Sequence, residues 1–227
     1  MIEYHKIQSI YLRDPATNHK TFLTGQYSTE AIGYLANNEW VWTEKIDGTN
    51  VRVYWNGSDL RFGGRTADAQ MPVFLLDRLQ ALFTPSKMRV CFPDIPVQVD
   101  SVGGPWVMLF GEGFGAKIQK GGGRYVPDGV NFILFDVMVN GNYLTRENVE
   151  DIAAKLDLLC VPIIGRGTLE QAVAFTRAGY KSRIALDGDY DAEGIVLRPA
   201  CELTDRRGHR VITKIKARDF ERVAVAA

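Results

Sequence analysis

The 227-residue chain has no apolar run near the ~20 residues that a membrane-crossing helix requires. Its opening, MIEYHKIQSI, lacks the apolar core of a secretion signal, so a cytoplasmic protein is expected. Cysteine is scarce. Cys91, Cys160 and Cys201 lie far apart with no C-x-x-C pair, which reads as three reduced thiols and not a disulfide framework. The three histidines form no H-E-x-x-H or similar cluster, which argues against a zinc site. Net charge is zero, so no global excess favours nucleic acid. There is also no internal repeat, low-complexity tract or long linker.

What is present is an ordinary folded composition, 46% hydrophobic and 24% charged, which excludes a disordered chain. Strand-like segments dominate, at residues 40–46, 50–55, 59–63, 106–110, 131–139, 194–198 and 211–217. Three helices are predicted between them. The first, residues 72–83, has apolar residues at Val73, Leu76, Leu79 and Phe83, with Pro72 suited to a first turn. The second, 147–158, follows Thr145 as N-cap. The third, 169–178, has Thr168 and Gln171 as a capping box and Gly179 past its end. Strands distant in sequence with interspersed helices predict an α+β fold of antiparallel sheets flanked by helices. The charge is locally uneven. From Arg198 onward come Arg206, Arg207, Arg210, Lys214, Lys216, Arg218 and Arg222 against Glu202, Asp205, Asp219 and Glu221, which suits either a local basic surface or solvated loop charges.

Residues 43–53, TEKIDGTNVRV, alternate apolar and polar on either side of Asp47-Gly48, the dipeptide that supplies positive φ in a tight turn. This predicts a hairpin with Lys45 two positions before the turn, its amine projecting from a fixed strand end. Further along, other residues of chemical interest sit at similarly defined places. Lys214 and Lys216 are two apart on a strand, so both amines point to one face at roughly 6.7 Å, a spacing that suits phosphates. The same pair would also suit an exposed edge strand protected by lysines. Glu193 precedes an apolar strand, where its carboxylate could hold a metal ion or simply cap the strand. Glu112 lies between Gly111 and Gly113, which would let a ligand approach closely or else serve a bulge. Phe135 suits either base stacking or a core position, with Phe132 as its rival. The Gly121–Gly123 run lacks the G-K-[ST] ending of a Walker A loop and reads as a flexible loop.

Taken in order, the runs EKIDGTN, GGR, FGEGFG, FILFDV, AEGIVLR and TKIKAR resemble motifs I, Ia, III, IIIa, IV and V of the covalent nucleotidyltransferases. These are the ATP-dependent DNA and RNA ligases and the mRNA capping enzymes. The resemblance is greatest to the RNA ligase 2-like branch, which has Asn after K-x-D/H-G-x and an I-Q-K-G run, matched here by residues 118–121. It spans residues 43–218. It implies a nucleotidyltransferase (ATP-grasp-like ligase) fold forming one adenylyltransferase domain over residues 1–227, with neither the OB nor the helical C-terminal domain of most relatives. It implies Lys45 as the nucleophile, with Lys214, Lys216 and Arg65 as further catalytic residues. Nucleotide contacts would come from Glu44, Ile46, Asn50, Arg65, Glu112, Phe135, Lys214 and Lys216, and metal binding from Glu193. The cofactors would be ATP and Mg²⁺ or Mn²⁺. The implied reaction joins 3′-OH and 5′-phosphate RNA ends, on a nicked or bridged duplex, through a lysyl-AMP and an AMP-capped 5′ end, by a monomer.

The residues make chemical sense of this. An amine attacks phosphorus only when unprotonated, whereas lysine ordinarily has a pKa of about 10.4. Neighbouring cations such as Lys214, Lys216, Arg65 and a bound Mg²⁺ would disfavour the ammonium, each unit of depression corresponding to about 1.4 kcal/mol. Three alternatives stand beside an RNA ligase: a minimal DNA ligase, a GTP-using capping guanylyltransferase and a non-catalytic nucleic-acid binding module. The missing OB domain and the IQKG run weigh against capping. Retention of Lys45, Glu112, Glu193, Lys214 and Lys216 together weighs against a binding module.

Overall fold

The computed structural model describes residues 1–97 and 104–220. In chain order the strands are β1 (Gln8–Ser9), β2 (Tyr11–Arg13), β3 (Phe22–Tyr27), β4 (Trp40–Glu44), β5 (Thr49–Trp55), β6 (Leu60–Gly63) and β7 (Val107–Gly115). They continue with β8 (Val130–Val139), β9 (Asn142–Tyr143), β10 (Leu159–Cys160), β11 (Ile163–Gly167), β12 (Gly194–Pro199) and β13 (Thr213–Lys216). The helices are α1 (Glu30–Tyr34), α2 (Val73–Leu82), α3 (Pro85–Cys91), α4 (Arg146–Leu156) and α5 (Leu169–Ala178). The α+β class with largely antiparallel sheets is as expected; β1–β13 and β8–β10 are parallel pairs.

The chain divides into two compact units. Unit 1 comprises Met1–His5 and Asp47–Val161. Its sheet runs β10-β8-β7-β5-β6, with β9 added to β8. Val51, Val53 and Trp55 on β5, Leu109 on β7 and Leu134 on β8 are completely buried against Leu75 and Leu79 of α2 and Val149 of α4. Removing each such side chain from water stabilises by about 1.5–3 kcal/mol. Pro72 occupies the N-cap position of α2, one place earlier than expected. Thr145 stands at the N-cap of α4 without a side-chain capping bond.

Unit 2 comprises Lys6–Ile46 and the described residues from Pro162 onward. Its sheet runs β1-β13-β12-β4-β11, and β2 pairs separately with β3. Trp40, Ile195, Leu197 and Ile215 form its core with Leu169 and Ala172 of α5. The expected capping box of α5 is present in both directions, and Gly179 closes the helix at φ 74°. Such a cap contributes about 1 kcal/mol.

One expectation fails. Residues 43–53 are not a hairpin, because β4 pairs with β11 and β12 while β5 pairs with β6 and β7. The chain leaves one sheet at Glu44 and enters the other at Thr49, and Gly48 does not adopt positive φ. Alternation reports that both segments are strands, but not which partner each takes.

Candidate active site

In unit 2, Lys45 stands one residue beyond β4. Its backbone N–H donates to Gly194 O at 2.8 Å, so the pairing of β4 with β12 continues past the strand end and fixes the lysine's main chain. Gly194 has φ 152°, and a Cβ there would lie 2.1 Å from Ile215 O, so no other residue fits. This places Glu193 at the start of β12, beside Lys45. Lys45 Nζ donates to Glu193 Oε2 at 2.6 Å, and Lys216 Nζ approaches Oε1 at 2.5 Å. Lys216 comes from β13, the antiparallel neighbour of β12, with Gly194 opposite Lys216. Three adjacent strands therefore bring one carboxylate between two ammonium groups. Burial alone would push the Glu193 carboxyl up, but Lys45 and Lys216 together hold it below the usual range. Lys214 shares the half-buried face of β13 with Lys216, as the two-residue spacing requires.

Glu44, next to the lysine, is 1% exposed. Its carboxylate accepts the Ser182 hydroxyl and, at 2.8 Å, the Arg183 N–H. Burial raises its pKa, and those two hydrogen bonds with the Arg183 charge oppose the rise. Ile46 is buried.

Unit 1 carries the other expected residues. Asn50 lies opposite Glu112 across β5 and β7. Asn50 Oδ1 is buried with no hydrogen-bond partner among the described residues, an arrangement rare in folded proteins unless a ligand or water completes it. Glu112 is half-buried on β7, whose glycine-rich end is strand throughout and not loop. Gly111 leaves room for a protein group: a Cβ there would lie 2.1 Å from the Phe132 ring, beside a bulge between Phe110 and Gly111. The bulge reading thus applies to Gly111. Phe132 is 1% exposed within the core, packed edge-on to Phe83, and is no stacking platform. Phe135 is half-buried, its ring 5.1 Å from that of Tyr4. Arg65 is exposed. The carbonyls on either side of it, Gly64 O and Thr66 O, accept from the buried Arg52 guanidinium at 2.5 and 2.9 Å. In the IQKG run, Gln119 donates to Gly48 O at 3.0 Å.

Sequence reasoning missed Arg52, Tyr180 and Ser182, whose partners lie outside their own strands and helices. The basic segment is partly neutralised by acidic partners. Arg198 and Arg210 are paired with Glu202, and Lys216 with Glu193, which leaves Arg206, Arg207 and Arg218 as that segment's exposed arginines among the described residues. Glu221 and Arg222 lie outside the described residues. No helix among the described residues is long and apolar enough to cross a membrane.

A family model described as RNA ligase matches residues 38–216. The chain belongs to the RNA ligase family. No curated protein matches it. Among solved structures it is similar to Naegleria gruberi RNA ligase with pyrophosphate, at TM-score 0.61 and 18% identity over 95% of this chain. Mutants of the same protein with ATP and manganese and with AMP and manganese give TM-scores of 0.60 and 0.61 at 18% and 17% identity, each over 95% of this chain. At these identities the likeness establishes a shared RNA ligase fold. The chain spans 56% of those proteins' length.

The donor set bears on any metal. No group of three or more His, Cys, Asp or Glu side chains gathers to hold an ion among the described residues. Glu193 offers a single carboxylate already shared by two ammonium groups. This fits a divalent cation that arrives with nucleotide phosphates and keeps most of its waters, the usual state of magnesium. It does not fit a resident ion.

Proposed function

We propose that this member of the RNA ligase family is an ATP-dependent RNA ligase whose residues 1–227 form one adenylyltransferase domain. The observation that carries the proposal is the Lys45–Glu193–Lys216 triad, which holds a primary amine at a fixed strand end beside a second cation. Lys45 Nζ attacks the α-phosphorus of ATP, the bond to the β-phosphate oxygen breaks, and pyrophosphate leaves a lysyl-AMP. The AMP then passes to a 5′-phosphate RNA end, and a 3′-OH displaces it to form the phosphodiester.

Before attack, the Lys45–Glu193 pair must open and the amine must lose its proton. Lys214 and Lys216 receive phosphate charge once Glu193 turns away from Lys216. A divalent cation, magnesium or manganese, bound with the nucleotide would neutralise the departing pyrophosphate, with Glu193 as its protein oxygen donor. Manganese accompanies ATP in a similar Naegleria gruberi RNA ligase structure, which supports the same pairing here. The remaining nucleotide contacts are assigned to Asn50, Arg65, Glu112 and Phe135 and to the main chain of Glu44 and Ile46, whose side chains are buried. The unpartnered Asn50 Oδ1 supports a hydroxyl or water there. Phe135, half-buried where Phe132 is in the core, supports stacking on adenine.

The substrate proposed is a nicked or bridged duplex with RNA at the 3′-OH side, joined by a monomer. The test compares nicked duplexes that differ only in a ribo or deoxyribo 3′ terminus, at several salt concentrations. Faster sealing of the ribo terminus, falling steeply with salt, is expected. Equal rates for both termini would turn the reading to a minimal DNA ligase.

A further inference from the structure

Lys45 is gripped from both sides by a segment that the proposed chemistry has not used. Gly194 O, which accepts the Lys45 N–H, also accepts the Tyr180 hydroxyl at 2.6 Å. A carbonyl oxygen has two lone pairs, and these two bonds fill them. The Tyr180 hydroxyl thus fixes the Gly194–Ile195 peptide at the head of β12, and the Gly194 carbonyl of that peptide and the side chain of the preceding Glu193 both bond Lys45.

On the other side of Lys45, Ser182 holds Glu44. Ser182 Oγ accepts the Ile184 N–H at 3.2 Å and the Ala185 N–H at 3.0 Å. With both lone pairs engaged, its single hydrogen points to Glu44, whose second oxygen takes the Arg183 N–H. Residues 180–185 therefore fasten the residue before the lysine and the carbonyl that receives its N–H. The bond from Tyr180 to Gly194 spans 14 residues, and that from Ser182 to Glu44 spans 138.

We infer that Tyr180 and Ser182 are positioning residues for Lys45, setting where its amine stands without touching nucleotide. The inference rests on the reading of Lys45 as the nucleophile. A displacement of the attacking atom by about 1 Å can cost on the order of 100-fold in rate. Loss of one brace should therefore act on the rate at saturating ATP and leave ATP affinity alone.

Tyr180→Phe removes the hydroxyl and keeps the ring, which packs 4.9 Å from Phe175. Ser182→Ala is the second variant, and both are compared with the wild type at matched folded fraction. Single-turnover AMP transfer should slow by roughly 10- to 100-fold in each, with half-saturating ATP changed less than about threefold. Amide exchange at Lys45 should quicken in Tyr180→Phe. Wild-type labelling on Lys45 with unaltered rates in both variants overturns the inference and leaves the ligase reading intact. A loss confined to ATP half-saturation overturns it equally, as does unchanged Lys45 exchange. Absence of AMP on Lys45 in the wild type would remove the ligase reading, and the inference with it.

Discussion

The two units treat their cations differently. In unit 1 the buried cation, Arg52, is 1% exposed and is met by dipoles: its guanidinium donates to the carbonyls of Gly64, Thr66, Met1 and Ile2. Burial lowers its pKa, yet a guanidinium stays charged across the biological range. In unit 2 the half-buried charges meet each other, as Lys45, Glu193 and Lys216 form a bridged triad. Carbonyl dipoles are fixed by the backbone, so Arg52 can only hold its loop in place. Ion pairs can be exchanged, so Glu193 can release an ammonium when phosphate charge arrives.

The comparison is broken most severely by removing the carboxylate of the triad. Glu193→Ala should lower AMP transfer by about 100-fold or more, in line with the loss of a preorganised electrostatic group. It should leave the fold intact, as read by circular dichroism. A rate within a few-fold of wild type would make the triad a surface feature. Arg52→Met tests the other unit. Four carbonyls lose their donor, and unit 1 should lose about 3 kcal/mol, visible as a lower denaturant midpoint. A loss well under 1 kcal/mol would show that water replaces the guanidinium.

A smaller effect sharpens the difference. The Glu193 carboxyl is below its ordinary value of 4.5 in the folded protein, so the unfolded chain binds that proton first as pH falls. Its stabilisation is therefore present above about pH 4.5 and is lost as pH falls through the folded value. Unfolding curves should separate wild type from Glu193→Gln at neutral pH and converge in acid. A gap that stays constant with pH would deny the ion pairing.

Much of this was legible locally. α5 with its capping box, α4 and the lysine pair on β13 follow from spacing alone, because helical and strand periods are properties of short segments. Partner choice is not local, and that is why the apparent hairpin at Asp47-Gly48 proved to be a passage between sheets. The short α1, with 5 residues, and β11, whose residues are half-buried apart from the exposed Arg166, gave no clear period. The glycines of β7 hid a nine-residue strand, since their missing side chains are replaced by neighbours such as Phe132. Lys45, Glu193 and Lys216 were legible as candidates through the family motifs. Their bonds, across a separation of 148 residues for Lys45 and Glu193, required the fold.

The central claim is that Lys45 carries the nucleotide. Wild type and Lys45→Ala, each folded, are incubated with α-labelled ATP and magnesium, denatured, and digested for peptide mass spectrometry. The account predicts AMP on the Lys45 peptide of the wild type, through an acid-labile and base-stable bond, and no label on the variant. Label retained in Lys45→Ala, or located on another lysine of the wild type, would contradict it.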